Sequence, residues 1–169
     1  LVSQILALSR RSDSERKPVT LAPVVQEAGK MLRASIPSPI ELDIDIDETA
    51  PVVLASATEM HQVLVNLGTN SAHAMAGGAG RLSIRLAPAT LDDAMARQLD
   101  VVPGDYALIS VEDTGHGIDK ATMEHIFEPY FTTKGVGEGT GLGLATVHGI
   151  VLRHGGAVRV DSETGRGTR

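Results

Sequence analysis

Cysteine and tryptophan are absent from the 169 residues, and aromatic side chains amount to two tyrosines and two phenylalanines. Without cysteine there can be no disulfide, no thiolate nucleophile and no cysteine-ligated zinc, which argues against a redox enzyme and points to a reducing, cytoplasmic setting. No apolar run approaches the roughly 20 residues a bilayer-spanning helix needs, and no charged leader with an apolar segment opens the chain, so a soluble piece is expected. Clustered positive charge is lacking too. The formal net charge is -6 and the basic residues are scattered, so no nucleic-acid partner is expected. The six histidines are dispersed without an H-E-x-x-H pair, and no G-x-S-x-G occurs, which removes the catalytic zinc and serine hydrolase readings.

What is present fits one compact domain with a short appendage. Leu1 to Arg16 starts apolar and turns polar, as the tail of a helix begun upstream would. Val24, Val25, Ala28, Met31 and Leu32 form a helical stripe over Leu21 to Ser35, ended by Ile36-Pro37. Ile40 to Ile46 alternates apolar and acidic residues, the mark of a half-buried strand. Val52 to Ala55 reads as a short strand, and Ser56 with Glu59 matches a capping box opening a helix to about Ala76. A glycine-rich stop precedes a strand over Arg81 to Leu86, and Thr90 to Leu99 reads as a short helix or lid-like insertion. Tyr106 to Asp113 is a strand, and Asp119 caps a brief helix through Ile126. An irregular loop to about Thr140, a helix to His154, a Gly155-Gly156 turn and a strand over Ala157 to Ser162 complete the order. Gly165 to Arg169 is turn-like and reads as the lead into a further, final strand. The alternation predicts an α/β (α+β) sandwich with a mixed sheet.

Three constellations carry chemistry. On the helix after Ser56, Gln62, Asn66, Asn70 and His73 share one face, beside an apolar stripe of Met60, Val63, Leu64, Leu67 and Met75. A merely solvated face would be built from Lys, Glu and Arg, whereas asparagine is a poor helix former. A carboxamide oxygen can join phosphate oxygens around Mg2+, and its NH2 can donate to phosphate. Next, Asp113 ends the apolar face of Ala107, Ile109 and Val111. Either it caps its own Gly-x-Gly turn, or it accepts a hydrogen bond from the amino group of a flat ligand such as adenine, with Gly115 and Gly117 letting the backbone come close. Last, glycine at 135, 137, 139, 141 and 143 leads straight into a core helix, so free N–H groups and the positive dipole end could receive a phosphate chain. That spacing is neither a P-loop nor a dinucleotide fingerprint. Phe127, Tyr130 and Phe131 gather just before it, an aromatic knot able to pin the start of a lid.

The order Asn-x-x-x-Asn, Asp-x-Gly-x-Gly, Phe-Glu-Pro-Tyr-Phe-Thr-Thr-Lys, Gly-Thr-Gly-Leu-Gly-Leu-Ala resembles the histidine kinase branch of the GHKL ATPases, with the boxes from the N box to the second glycine box over residues 59 to 145 and the likeness extending over about 18 to 168. The resemblance implies a two-layer Bergerat-type ATP fold: a mixed, mostly antiparallel sheet covered on one face by helices, filling 17–169 and lacking its last strand. Residues 1–16 would be the tail of a dimerisation and phosphoacceptor helix. It implies ATP and Mg2+ as ligands, with Asn66 on the metal, Asn70 on phosphate and Asp113 on the adenine amino group. Gly115, Gly117 and Ile118 would line the adenine pocket, and Phe127 and Phe131 would anchor the lid. Gly139, Gly141, Leu142 and Gly143 would wrap the phosphates, helped by Lys134 and Thr140. His73 stands where many relatives have lysine, and Gln62 where hydrolases of the superfamily have a water-activating glutamate. No histidine here is followed by an acidic residue, as the phosphoacceptor would be. The expected role is phosphoryl transfer from ATP to a histidine on an adjacent helical domain, with a response-regulator receiver domain as downstream partner. The alternatives are a degenerate nucleotide-sensing module and an ATPase clamp. By itself the piece is expected to be monomeric, within a homodimeric full protein.

Overall fold

The computed structural model describes residues 15–133 and 139–169. The expected upstream helix tail, up to Ser14, and Lys134 therefore lie outside the described residues.

The chain opens with β1 (Lys17–Val19), which pairs antiparallel with β3 (Val53–Ala55) in a small separate sheet, an element the sequence reading does not anticipate. Between them run α1 (Leu21–Ser35) and β2 (Ile40–Ile46), both with the expected bounds. α2 (Ala57–Ala74) follows, then β4 (Gly80–Leu91), the short α3 (Asp93–Leu99), and β5 (Gly104–Asp113). α4 (Lys120–Met123), α5 (Gly143–Arg153), β6 (Ser162–Glu163) and β7 (Gly167–Thr168) complete the described elements.

The main sheet has the order β2-β4-β5-β7-β6. β2 and β4 are parallel, joined by the crossover through α2, and the other three pairings are antiparallel. The sheet is thus mixed and mostly antiparallel, as expected. Its alternation divides it into two faces. Leu82, Ile84 and Leu86 of β4 are at most 1% exposed and meet Val25 and Leu32 of α1, Leu64 of α2 and Val147 and Ile150 of α5 in one core. On the other face Arg81 pairs with Glu41 and Arg85 with Asp45 across the parallel rungs, all four side chains well exposed. Such exposed pairs contribute little to stability, so the aliphatic core carries the fold.

Four expectations need correction. β4 runs on to Leu91, so Thr90 belongs to the strand and only Asp93–Leu99 is helical, with Asp92 accepting from Met95 N–H as its cap. The antiparallel ladder with β5 extends to Leu91↔Gly104, and Pro88 lies past Leu86, the last residue paired with β2, so its missing N–H costs that ladder nothing. After Met123 the chain continues in three-residue turns: His125 N–H donates to Thr122, Glu128 N–H to His125 and Phe131 N–H to Glu128. The helix therefore does not reach Ile126. Ala157 to Ser162 is not a regular strand either. Ser162↔Thr168 and Glu163↔Gly167 are followed by reciprocal 2.8 Å bonds between Asp161 and Arg169, and among the described residues no ladder continues back from there over 157–160. The capping box is half realised. Ser56 Oγ accepts from Glu59 N–H at 3.3 Å, but the Glu59 carboxylate goes to Arg153 instead of reaching back.

The core assignment makes a measurable claim. Leu64→Ala, at a residue with no exposure, should lower the unfolding free energy by about 2–5 kcal/mol. Leu54→Ala, at a residue 63% exposed, should change it by less than about 0.5 kcal/mol. Urea denaturation of both variants distinguishes the two.

Candidate functional site

The site is assembled around the C-terminal half of α2. Asn66 and Asn70 are half-buried on one helix face, while Gln62 and His73 at its ends are exposed. Asn66 Nδ2 donates to the carbonyl of Gly143 at 3.5 Å, a long bond. A Cβ placed on Gly143 would lie 3.5 Å from Asn70 Nδ2, so both carboxamides face the first turn of α5. The residue before that turn, Leu142, supplies no side-chain cap, and its own N–H is taken by Thr140 Oγ1 at 3.3 Å. The helix start thus keeps its positive dipole end beside two carboxamides. Thr140, expected on phosphate, is engaged in this turn.

One turn further along α2, about 6 Å, stands the Asp113 turn. The N–H of His116 donates to the carbonyl of Ala74 at 3.1 Å, and a Cβ on Gly115 would come within 2.8 Å of Ala74 backbone atoms. Only glycine allows that approach. Gly117, with φ +71°, lies so close to the Glu163 carbonyl that no side chain would fit. The two glycines therefore serve contact between protein backbones, an addition to the expected approach to a ligand.

Asp113 is 5% exposed, and its Oδ1 accepts from Gly115 N–H at 2.9 Å. The turn-capping reading is thus realised with one oxygen. Among the described residues no buried side-chain polar atom lacks a partner, so the second oxygen is not sealed in. Thr168 was missing from the expected site residues. It is the antiparallel partner of Asp113, which puts the two side chains on one face, and its hydroxyl lies 2.9 Å from Ser162 Oγ. Ser162 Oγ also accepts from Ile118 N–H at 2.8 Å, fixing the end of the glycine turn. The signal available in sequence was the Gly-x-Gly-Thr pattern itself, which marks a return to the strand edge. An open cleft of about 740 Å³ passes Asp113, Ile118, Ser162 and Thr168 along the β5 edge, but Asn66, Asn70 and Gly143 do not line it.

The aromatic knot is not a knot. Among the described residues, Phe127 stacks on His148 of α5 at 4.6 Å between centroids, and Phe131 meets His125 at 5.5 Å. Tyr130 is 70% exposed. What joins the two ends of the loop is backbone: Tyr130 N–H donates to the Gly141 carbonyl at 2.8 Å. Gly141, at φ +63°, would put a Cβ 2.4 Å from the Tyr130 carbonyl carbon, so the clasp depends on glycine. Gly139 is half-buried beyond it.

Electrostatics at the loop entrance are local. A hydrogen bond to Glu128 at 2.8 Å, helped by its charge, raises the pKa of His125 above the ordinary histidine value. Asp119 is held below the ordinary carboxylate range by the backbone N–H and hydroxyl of Thr122. No group of three His, Asp or Glu able to hold a metal occurs among the described residues. A divalent ion here would depend on carboxamide and phosphate oxygens, and the half-buried Asn66 and Asn70 fit that donor set. No helix among the described residues is long and apolar enough to cross a membrane.

The family of histidine kinase-, DNA gyrase B- and HSP90-like ATPases matches residues 55–169. The sensor kinase CckA of Brucella abortus (strain 2308) is 43% identical over 169 residues, 99% of this chain and 18% of that protein. The sensor histidine kinase ZraS of Escherichia coli (strain K12) is 34% identical, over 99% of this chain and 33% of that protein. The chain therefore spans about a fifth to a third of these relatives. Among solved structures, the mycobacterial sensor histidine kinase MprB superposes with a TM-score of 0.69 at 28% identity, over 90% of this chain and 92% of that one. Full-length ShkA in complex with AMPPNP superposes with 0.70 at 25% identity, over 90% of this chain and 29% of that one.

Replacing Glu128 by Gln removes the negative charge from the hydrogen-bond partner that raises the His125 pKa, leaving the weaker influence of Glu124 in place. In the parent chain the pairing stabilises the fold at pH below the ordinary histidine pKa and fades as the pH rises through the raised value. Histidine titration by NMR should show the His125 midpoint falling in the variant. An unchanged midpoint would mean that the pair does not form in solution.

Proposed function

The chain belongs to the histidine kinase-, DNA gyrase B- and HSP90-like ATPase family, and from that premise we propose that it is the ATP-binding catalytic domain of a two-component sensor histidine kinase. The observation that carries this is the alignment along α2. A buried carboxylate stands at the Ala74 end, and two carboxamides face an uncapped helix start one and two turns back. A nucleotide laid along that line has its adenine amino group against Asp113, beside Thr168 and Ile118, and its phosphates against Asn66, Asn70 and the start of α5. Gly115 and Gly117 hold the adenine end in shape, and the Tyr130–Gly141 clasp fixes where the loop between Phe131 and Gly141 leaves and returns.

Mg2+ held by Asn66 would neutralise charge on the phosphates. The chain's own residues orient and pair: Asn70 donates to a phosphate oxygen, the α5 N–H groups receive another, and His73 supplies a further polar contact at the helix end. The reaction is transfer of the γ-phosphoryl group. The bond from γ-phosphorus to the bridging oxygen breaks, a P–N bond to an imidazole on a separate helical domain forms, ADP leaves and the imidazole proton goes to solvent. Positioning and charge neutralisation supply most of such catalysis. Gln62, exposed on α2, has a carboxamide and so cannot serve as a base for water, which favours transfer over hydrolysis. A response-regulator receiver domain would then take the phosphoryl group from the histidine.

Calorimetric titration with Mg-ADP tests the reading. The parent chain should bind. Asp113→Asn should weaken binding by about 10- to 100-fold, the range of one hydrogen bond to a charged group. A folded parent chain that binds neither Mg-ADP nor a non-hydrolysable ATP analogue would overturn the proposal.

A further inference from the structure

The imidazole of His154, just past α5, has only 8% of its side chain exposed and takes no part in the site described above. Its two nitrogens face opposite kinds of partner. Nδ1 lies 2.8 Å from the carbonyl oxygen of Ile150, one turn back in its own helix, and a carbonyl can only accept. Nε2 lies 3.2 Å from the backbone N–H of Ser56, which can only donate. The geometry therefore selects the neutral tautomer with its proton on Nδ1, donating to Ile150 and accepting from Ser56. The Glu59 carboxylate stands 3.6 Å from Nε2, but its other oxygen pairs with Arg153 at 2.9 Å. A proton on Nε2 would point a donor at the Ser56 N–H.

Ser56 is the N-cap of α2 and is itself 6% exposed. Its N–H lies ahead of the helix and has no intrahelical acceptor, so without the imidazole it would be buried and unpaired. The contact thus joins the N-terminal end of α2 to the C-terminal end of α5, across 98 residues of chain. At the start of α5 and midway along α2, the same two helices bring Asn66 to Gly143. The helices run antiparallel, with about 15 Å of α2 separating the two contacts. A slip of one helix along the other at the His154 end is a slip of Gly143 past Asn66 and Asn70 at the other.

We propose that His154 is a positioning residue that locks α2 and α5 in the register the nucleotide site needs. The inference rests on the ATP-binding reading for its functional consequence, while the lock itself is a statement about the ring and the helices. Two measurements test it. The 15N chemical shifts of the His154 ring in the intact chain should carry the signature of the Nδ1-protonated neutral tautomer at neutral pH; an Nε2-protonated or cationic ring would overturn the proposal. Then Mg-ADP affinity is compared in His154→Leu, which fills the space without hydrogen bonds, and His154→Gln, whose carboxamide can both accept and donate. Leucine should weaken binding by about tenfold and shift the amide resonances of Asn66 and Gly143, and glutamine should restore most of both. Equal affinity and unshifted resonances in a folded leucine variant would overturn the lock. If the parent chain binds no Mg-ADP, the ATP-binding reading fails, and the lock stands or falls on the ring signature and the Asn66 and Gly143 resonances.

Discussion

The contact between Gly115 and the last turn of α2 is where the helical layer and the sheet layer meet closely enough to share a site. The carbonyl of Ala74, at the end of α2, accepts from His116, and Thr114 is tied to Arg81 through its N–H and its hydroxyl. The turn after β5 is thus held by α2 on one side and by β4 on the other. A side chain at 115 would separate the two layers at the point where Asp113 emerges. Because Asn66 and Asn70 sit on α2 and Asp113 ends β5, this one close approach sets the distance between the two carboxamides and the carboxylate.

The elements whose residues follow a strict period were legible in the sequence. α1 and β2 have the expected bounds because the apolar stripe of one and the strict alternation of the other leave a single way to bury them. β4 outruns the alternation of Arg81 to Leu86 because Pro88, a strand breaker by itself, is tolerated once β2 has ended, and no local signal states where β2 ends relative to it. The pairing of β1 with β3 was not legible for the same reason: Lys17–Val19 has no period of its own, and its partner is fixed only by the path of α1 and β2. The stretch after Gly156 carries strand-forming residues, yet a strand is a property of pairs, and of 157–162 only Ser162 has a ladder partner.

For the candidate site, the nearness of the motif residues to one another was legible, their contacts less so. Asn66, Asn70, Asp113, Gly115 and Gly143 are brought together along α2 as their motifs imply. Thr140 holds Leu142, and Phe127 and Phe131 each pack on a histidine rather than on one another. Aromatic residues close in sequence on an irregular segment point in directions set by the turns, and the partners His125 and His148 carry no mark in the sequence that identifies them. Thr168 escaped notice because its place beside Asp113 is a matter of strand register alone.

The single backbone bond from Tyr130 to Gly141 also separates what the loop is from where it is tied. The entropy of closing a loop grows only with the logarithm of its length, so doubling the stretch between the two residues would cost only about 0.6 kcal/mol. Insertions or deletions between them need not disturb Phe127 on one side or Gly143 on the other. A change in the length of that stretch therefore leaves the frame on either side of the clasp as it is.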